Sequence, residues 1–347
     1  MIFAMVAAVV FLSGCQQPSG PTDQGSGPDN QGMNCLEFCE LQQHTQCVGE
    51  WSVSGTYPDC SCEFNCNEQP PEEPEEFVWE AGDVAVPGKY ADAELVELEN
   101  GSYRIYYSEE PEVQGFSGKI YSSVSSDGMS WTAEPGVRKE WATFPDIVQL
   151  DDGKYRMYYQ NDNVIKSTTS SDGLSWTDES GTRISKTETG LVLENVAAPS
   201  VIKNGGLYIM VYRGTINERY SSEVPNSNTQ LFLWATSSDG ITFEKQGIAL
   251  DSRNSVFNGL LDGPQLVLWE DGAIRLYFWS YEGVYHTTFE NNAFSADAEF
   301  DYTTASDENV PFPSNPPCDP TLGKISGKWF LYYGQHTEGI FYATLEE

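Results

Sequence analysis

The chain is expected to be all-β, with a five-bladed β-propeller as its main body, preceded by a small disulfide-rich module. Three observations lead there. A strand–glycine turn–strand pattern occurs five times, at intervals of 53 to 65 residues, the length of a four-stranded blade. A second pattern, Ser-Ser-Asp-Gly before an aromatic residue, recurs between them. The length of 347 residues leaves room for such a propeller, about 250 residues, plus appendages.

The first residues, MIFAMVAAVVFLSGC, form an apolar run too short to span a bilayer comfortably. The run ends in Leu12-Ser13-Gly14-Cys15, which resembles the box at which a lipoprotein signal peptide is cleaved and the Cys lipidated. A short membrane anchor and a plain secretory peptide are the alternatives. No positive charge precedes the run, which suggests a natural start further upstream. Gln16 and Gln17 follow Cys15, with no Asp to signal inner-membrane retention. The resemblance implies a lipid-anchored protein of the bacterial outer membrane or cell surface, attached only through its N-terminal lipid.

Residues 16–34 are rich in Gln, Pro, Ser, Gly, Asp and Asn and form a flexible linker. Six cysteines follow within residues 35–66: Cys35, Cys39, Cys47, Cys60, Cys62 and Cys66. In an oxidising compartment an even cluster predicts three disulfides, with fifteen pairings open. Zinc is the competing reading, although C-x3-C and C-x-C spacings do not match paired C-x2-C knuckles. Residues 67–77 are a Pro/Glu linker, and 78–347 are assigned to the propeller. Cys318 is left over and is assigned no chemistry.

The five repeats are ADAELVELENGSYRIYYS (91–108), FPDIVQLDDGKYRMYYQ (144–160), AAPSVIKNGGLYIMVYRG (197–214), DGPQLVLWEDGAIRLYFWS (262–280) and CDPTLGKISGKWFLYYGQ (318–335). Each opens with Asp or Pro, continues with alternating apolar residues, turns at a glycine and returns as an aromatic strand, a hairpin signature. The second pattern is IYSSVSSDGMSWT (120–132), IKSTTSSDGLSWT (165–177) and LWATSSDGITFE (233–244). It resembles the Asp-box turn of sialidases with one residue missing. Asp127, Asp172 and Asp239 are read as turn caps on the outer rim rather than catalytic groups.

The repeats resemble the five-bladed propellers of arabinanases, levansucrases and invertases, including glycoside hydrolase families 43 and 32. The resemblance spans residues 78–347. It implies an Asp in the first blade as base or nucleophile, an Asp in the second as orienting partner and a Glu in the third as acid. Asp92 matches the first, with Ala93 where Pro is usual and Glu94 a competing carboxylate. Asp146 matches the second. At the third, where Glu-Gly-Pro or Glu-Ala-Pro is expected, the chain has Ala197-Ala198-Pro199. Glu194 lies three residues upstream of Ala197. Asp262, in Asp-Gly-Pro, has the right local form but one blade later, and Asp319 adds a fifth-blade carboxylate.

Glycoside cleavage uses two carboxyls in different protonation states. Asp92, Asp146 and Asp262 are therefore the catalytic candidates. A ring of Asp92, Asp146, Asp262 and Asp319 at the tunnel mouth could supply them, could hold a cation such as calcium, or could be repeated strand caps. Glu94, Trp141, Phe144, Gln160, Arg213, Trp279, Tyr281, Asp319 and His336 are the candidate substrate-binding residues. Aromatic faces with amide and guanidinium donors suit sugar rings, and one of Trp279 and Tyr281 is expected to be inter-blade packing. The expected partner is a glycan or oligosaccharide. The formal net charge of −34 disfavours nucleic acid and anionic lipid, and a monomer is expected. The functional expectation is a surface protein that hydrolyses or binds glycans. The alternative, given Ala197, is a non-catalytic glycan-binding or protein-interaction propeller.

Overall fold

A computed structural model of the chain describes Cys35 and residues 49–56, 59–66, 77–187, 191–226, 228–253, 256–304, 312, 315–335 and 337–346. The chain divides into two units, residues 1–76 and 77–347. In the first, Gly49–Thr56 pairs antiparallel with Asp59–Cys66. Cys35 is bonded to Cys60, and Cys62 is also in a disulfide. Cys15, Cys39, Cys47 and the side chain of Cys66 lie outside the described residues. No described helix is long and apolar enough to cross a membrane.

The second unit is a five-bladed propeller. The inner strands are Tyr90–Glu97, Thr143–Gln149, Leu193–Asn204, Asp262–Leu268 and Cys318–Ile325. They neighbour one another in a closed ring around a central channel, and each heads an antiparallel sheet, or blade, numbered I to V in that order. Blade V is completed from the other end of the unit: Trp79–Pro87 pairs antiparallel with Gly339–Leu345 and supplies its outer strand. This closure was not anticipated from the repeats. Phe77, assigned above to the linker, packs edge-on against Trp269 at 5.2 Å and under the Arg275 guanidinium. It belongs to the propeller because its ring has an apolar partner there.

The middle strands explain the aromatic repeat. In Tyr103–Glu109, Ile105 and Tyr107 face blade V, whereas Tyr106 faces blade II. In Tyr155–Asn161, Met157 and Tyr159 face blade I, and Tyr158 faces blade III. A strand covered on both sides is apolar along its whole length, so period-2 alternation is lost from its hydrophobicity and survives only in side-chain direction. The apolar clusters between successive blades form the core.

Rim turns join neighbouring blades. Asp127 Oδ1 accepts from the N–H groups of Met129 and Ser130 at 2.9 and 2.8 Å, and Asp172 and Asp239 do the same in their turns. These bonds lower the pKa of all three carboxyls, to about 2 for Asp172 and Asp239. Each turn is also held from the preceding blade. Tyr106, Tyr158 and Tyr332 donate their hydroxyls to the carbonyls of Gly173, Gly240 and Gly128, at 2.8, 2.8 and 2.7 Å. The capping role expected from the sequence is the geometry observed.

Candidate active site

Every inner strand bulges at the same place. Pairing with the middle strand skips at Ala91/Glu94, Ala197/Pro199, Asp262/Gln265 and Cys318/Thr321, and between Thr143 and Asp146 in blade II. The residue at the bulge is left-handed in all five blades: Asp92 (φ 54°), Phe144 (φ 51°), Ala198 (φ 45°), Gly263 (φ 56°) and Asp319 (φ 47°). Four of these carry a side chain, a conformation that costs roughly 1–2 kcal/mol each. The following residue is Ala93, Pro145, Pro199, Pro264 or Pro320, whose missing or unneeded N–H suits a break in the ladder.

This register corrects the expectation of one acidic ring. The four aspartates stand at three levels of the channel. Asp92 and Asp319 are bulge residues of neighbouring blades. Asp262 precedes its bulge and is level with Ala197. Asp146 and Glu94 lie two residues beyond theirs, level with Ser200, Gln265 and Thr321. Aligning the repeats on Asp had merged levels that the Pro register separates.

The lowest level is a clasp between blades. Glu94 accepts from the Ile147 N–H at 3.4 Å, Asp146 from Val201 N–H at 3.0 Å and Ser200 from Leu266 N–H at 2.8 Å. Each acceptor reaches the same position of the next inner strand. Asp146 is only 2 % exposed, and neither it nor Glu94 lines the pocket above. Burial raises both acids, Asp146 to about 7, and for Glu94 the neighbouring Asp146 charge adds to the effect.

Above the bulges a pocket of about 770 Å³ opens at the end of the channel. Asp92, Trp141, Phe144, Gln160, Arg213, Trp279, Tyr281 and Asp319 line it. His336 lies outside the described residues. Asp92 accepts from the Phe144 N–H at 3.3 Å, and burial, with Glu110 and Asp262 nearby, raises its pKa to about 7. Asp319 accepts from Trp279 Nε1 at 3.0 Å and is raised well above the usual range by burial and by the Asp92 and Asp262 charges. Gly263 makes room for it, since a Cβ there would stand 2.6 Å from Asp319 Oδ1. Asp262 forms an ion pair with Arg213, which is paired across the sheet with Ala197 and lies over the Phe144 ring at 5.6 Å.

Trp279 therefore positions a carboxylate. Tyr281 packs edge-on against Phe312, and its hydroxyl accepts from Asn226 N–H, so of the two aromatics it has the more structural setting. Sequence reasoning missed Glu109, Glu110, Phe116 and Cys318 in the wall. Glu109 and Glu110 end and follow a middle strand, as Gln160 and Asn161 end theirs, so the same positional signal would have found them. Calcium takes six to eight oxygens around one point. Among the described residues no group of three or more His, Cys, Asp or Glu side chains converges in that way.

No protein-family model and no curated protein matches this sequence. Solved structures do match. CoXyl43, a GH43 β-xylosidase/α-arabinofuranosidase from a compost microbial metagenome, is 16% identical, with a TM-score of 0.55 over 78% of this chain and 96% of its own. The GH62 α-L-arabinofuranosidase catalytic domain of Coprinopsis cinerea is 12% identical, with a TM-score of 0.55 over 78% and 97%. PaAbf62A, an α-L-arabinofuranosidase from Podospora anserina, is 11% identical, with a TM-score of 0.55 over 78% and 98%. The fold is that of the five-bladed glycosidase propellers. At such identities the likeness concerns the backbone, and function rests on this chain's own pocket.

Proposed function

We propose that the pocket is a saccharide-binding site. The observation that carries this is its wall. Trp141, Phe144 and Trp279 contribute aromatic side chains, and Asp92, Gln160, Asn161, Asp162 and Asp319 set hydrogen-bonding groups among them. A sugar offers C–H faces to rings and hydroxyls to both donors and acceptors, so one ligand class satisfies all of these groups. CoXyl43 in complex with xylotriose and PaAbf62A in complex with cellotriose support the reading by analogy of fold.

Hydrolysis is the second reading, favoured by Asp92 and Asp319. They are bulge residues of adjacent blades, both line the pocket, and burial raises the proton affinity of each, with the Asp92 charge adding to the effect on Asp319. Two such carboxyls settle with one protonated and one ionised. The protonated one donates to the glycosidic oxygen, and the ionised one takes a proton from attacking water or bonds to the sugar. Asp262, neutralised by Arg213, anchors rather than donates. Asp146 holds blades together beneath.

A panel of arabino-, xylo-, gluco- and chito-oligosaccharides, assayed by calorimetry and for product release, tests both readings. Binding with no product supports the binding site alone. Product that disappears in Asp319→Asn and in Asp92→Asn supports hydrolysis by this pair. Failure of every saccharide to bind overturns the proposal in favour of a protein-interaction propeller. We infer further that Cys15 carries a lipid, which rests on the Leu-Ser-Gly-Cys box. Cys15→Ser should then partition into buffer rather than membranes, and unchanged partitioning would reject the anchor.

A further inference from the structure

We infer that Asn204 is a site of self-modification, at which the side-chain amide is lost and the chain is relinked as isoaspartate or aspartate. The reaction needs the next residue's backbone nitrogen to reach the asparagine side-chain carbonyl, and glycine obstructs that approach least because it has no Cβ. The chain has three such steps, Asn100-Gly101, Asn204-Gly205 and Asn258-Gly259.

The fold locks two of them and leaves one open. Gly101 N–H donates to the Leu98 carbonyl at 2.9 Å, and Asn100 Oδ1 accepts from the N–H and the hydroxyl of Ser102 at 3.0 and 2.7 Å. Gly259 N–H donates to the Ser252 carbonyl at 2.9 Å, and a Cβ on Gly259 would stand 2.6 Å from that of Tyr220, so this backbone is packed in. Asn204 ends the inner strand of blade III opposite Leu207, and Gly205 (φ 61°) and Gly206 form the two-residue turn between them. All four residues are exposed, and a Cβ on either glycine would meet nothing within 4 Å. Among the described residues nothing accepts from Gly205 N–H and nothing holds the Asn204 amide. A hairpin end of this kind opens locally at little cost, which lets the Asn204 side chain and the Gly205 nitrogen rotate into line.

Hydroxide takes the Gly205 amide proton, the nitrogen bonds to Asn204 Cγ, and Nδ2 takes a proton from water and leaves as ammonia, closing a five-membered succinimide. Water then adds to one ring carbonyl and breaks its bond to nitrogen. Opening at the backbone carbonyl gives isoaspartate, and opening at Cγ gives aspartate. Either product adds a negative charge beside Lys203, which is ion-paired with Asp151. Isoaspartate also puts one more carbon into the main chain, so the pairing of residue 204 with Leu207 cannot close as before.

The test incubates the full chain at pH 8 and 37 °C, folded and in guanidinium chloride. Peptides spanning the three steps are read by mass spectrometry, and isoaspartate by enzymatic methylation. In the folded protein Asn204 is expected to convert about fivefold or more faster than Asn100 and Asn258, because each of those must first give up a backbone hydrogen bond of about that worth. In guanidinium the three rates should converge, and at Asn204 isoaspartate should be the larger product. Equal conversion of all three in the folded protein, or Asn100 or Asn258 ahead, would overturn the inference. Aspartate alone at Asn204 would also overturn it, since direct hydrolysis without the Gly205 nitrogen leaves no isoaspartate.

Discussion

Trp141 is the side chain whose setting departs furthest from what folding requires. It is 67% exposed, has φ 57°, and its carbonyl accepts from Asn161 Nδ2 at 2.7 Å. A bulky residue in the left-handed region and open to solvent is a strained arrangement that contributes little to the core. It stands on the pocket wall, where a ring can stack on a ligand. Trp141→Ala should therefore leave stability within about 0.5 kcal/mol and weaken saccharide binding about tenfold, roughly 1.4 kcal/mol. Thermal unfolding and calorimetry on the same sample check both halves, and a large loss of stability with unchanged binding would reverse the assignment. Ala197 carries the opposite lesson. It is fully buried and paired with Arg213, so the missing acid is not a vacancy waiting to be refilled. A Glu there would have to displace packed neighbours and would compete with Asp262 for the guanidinium.

The blade was legible in the sequence because its middle strand repeats a tyrosine. Tyr106, Tyr158, Tyr277 and Tyr332 are fully buried at one position that faces the next blade, whereas in blade III Val211 holds that position and the buried Tyr212 faces blade II. Three of them hold the rim turn of the next blade, and a Ser-Ser-Asp-Gly turn is present wherever they do. Blade IV has no such turn and connects its outer strands through Asn291 and Asn292, both at positive φ. Blade V has no such turn either, its outer strand being Trp79–Pro87 from the other end of the unit, and Tyr277 of blade IV correspondingly has a buried hydroxyl that meets no turn carbonyl. Tyr158→Phe should cost about 1 kcal/mol, the net value of one buried hydrogen bond. Tyr277→Phe should cost less, because its hydroxyl meets no turn carbonyl and has only the Arg275 guanidinium beside it. Chemical denaturation of the two variants decides this, and equal losses would show that the latch adds nothing beyond packing. The bulge register was hidden for a related reason. Asp is conspicuous in each repeat, yet it occupies different levels, whereas the less conspicuous Ala93, Pro145, Pro199, Pro264 and Pro320 mark the common one. The residue types of the pocket wall were readable from strand ends, but their levels depended on a bulge that the proline register marks and the aspartates do not.

Ring closure was the least legible feature, because Trp79–Pro87 lacks the glycine turn and tyrosine of the repeats and finds its partner at the other end of the unit. Closure places the inner strands around a channel, and burial among them sets the behaviour of its acids. Asp92 and Asp146 are raised to about 7, and Glu94 and Asp319 are raised well above the ordinary range, with burial the largest cause in each. In the unfolded chain the same groups titrate near ~4. The folded protein thus holds more protons than the unfolded one from about pH 4 up to the folded values, and stability falls as pH rises across that window. The contribution is complete below the unfolded values, and the Asp92 and Asp146 share is lost as pH passes about 7. The rim carboxyls of Asp172 and Asp239, lowered to about 2, act in the opposite sense and matter only in strong acid. The melting temperature should accordingly be higher at pH 5 than at pH 8. The net charge of −34 pushes in the same direction through surface repulsion, but 0.5 M salt screens that component and leaves buried groups largely untouched. The slope that survives in salt belongs to the channel. It should flatten when Glu94→Gln and Asp146→Asn are combined, since the amide oxygens can still accept from Ile147 and Val201 while nothing remains to ionise. A slope unchanged by that pair would assign the pH dependence to the pocket carboxyls Asp92 and Asp319 instead.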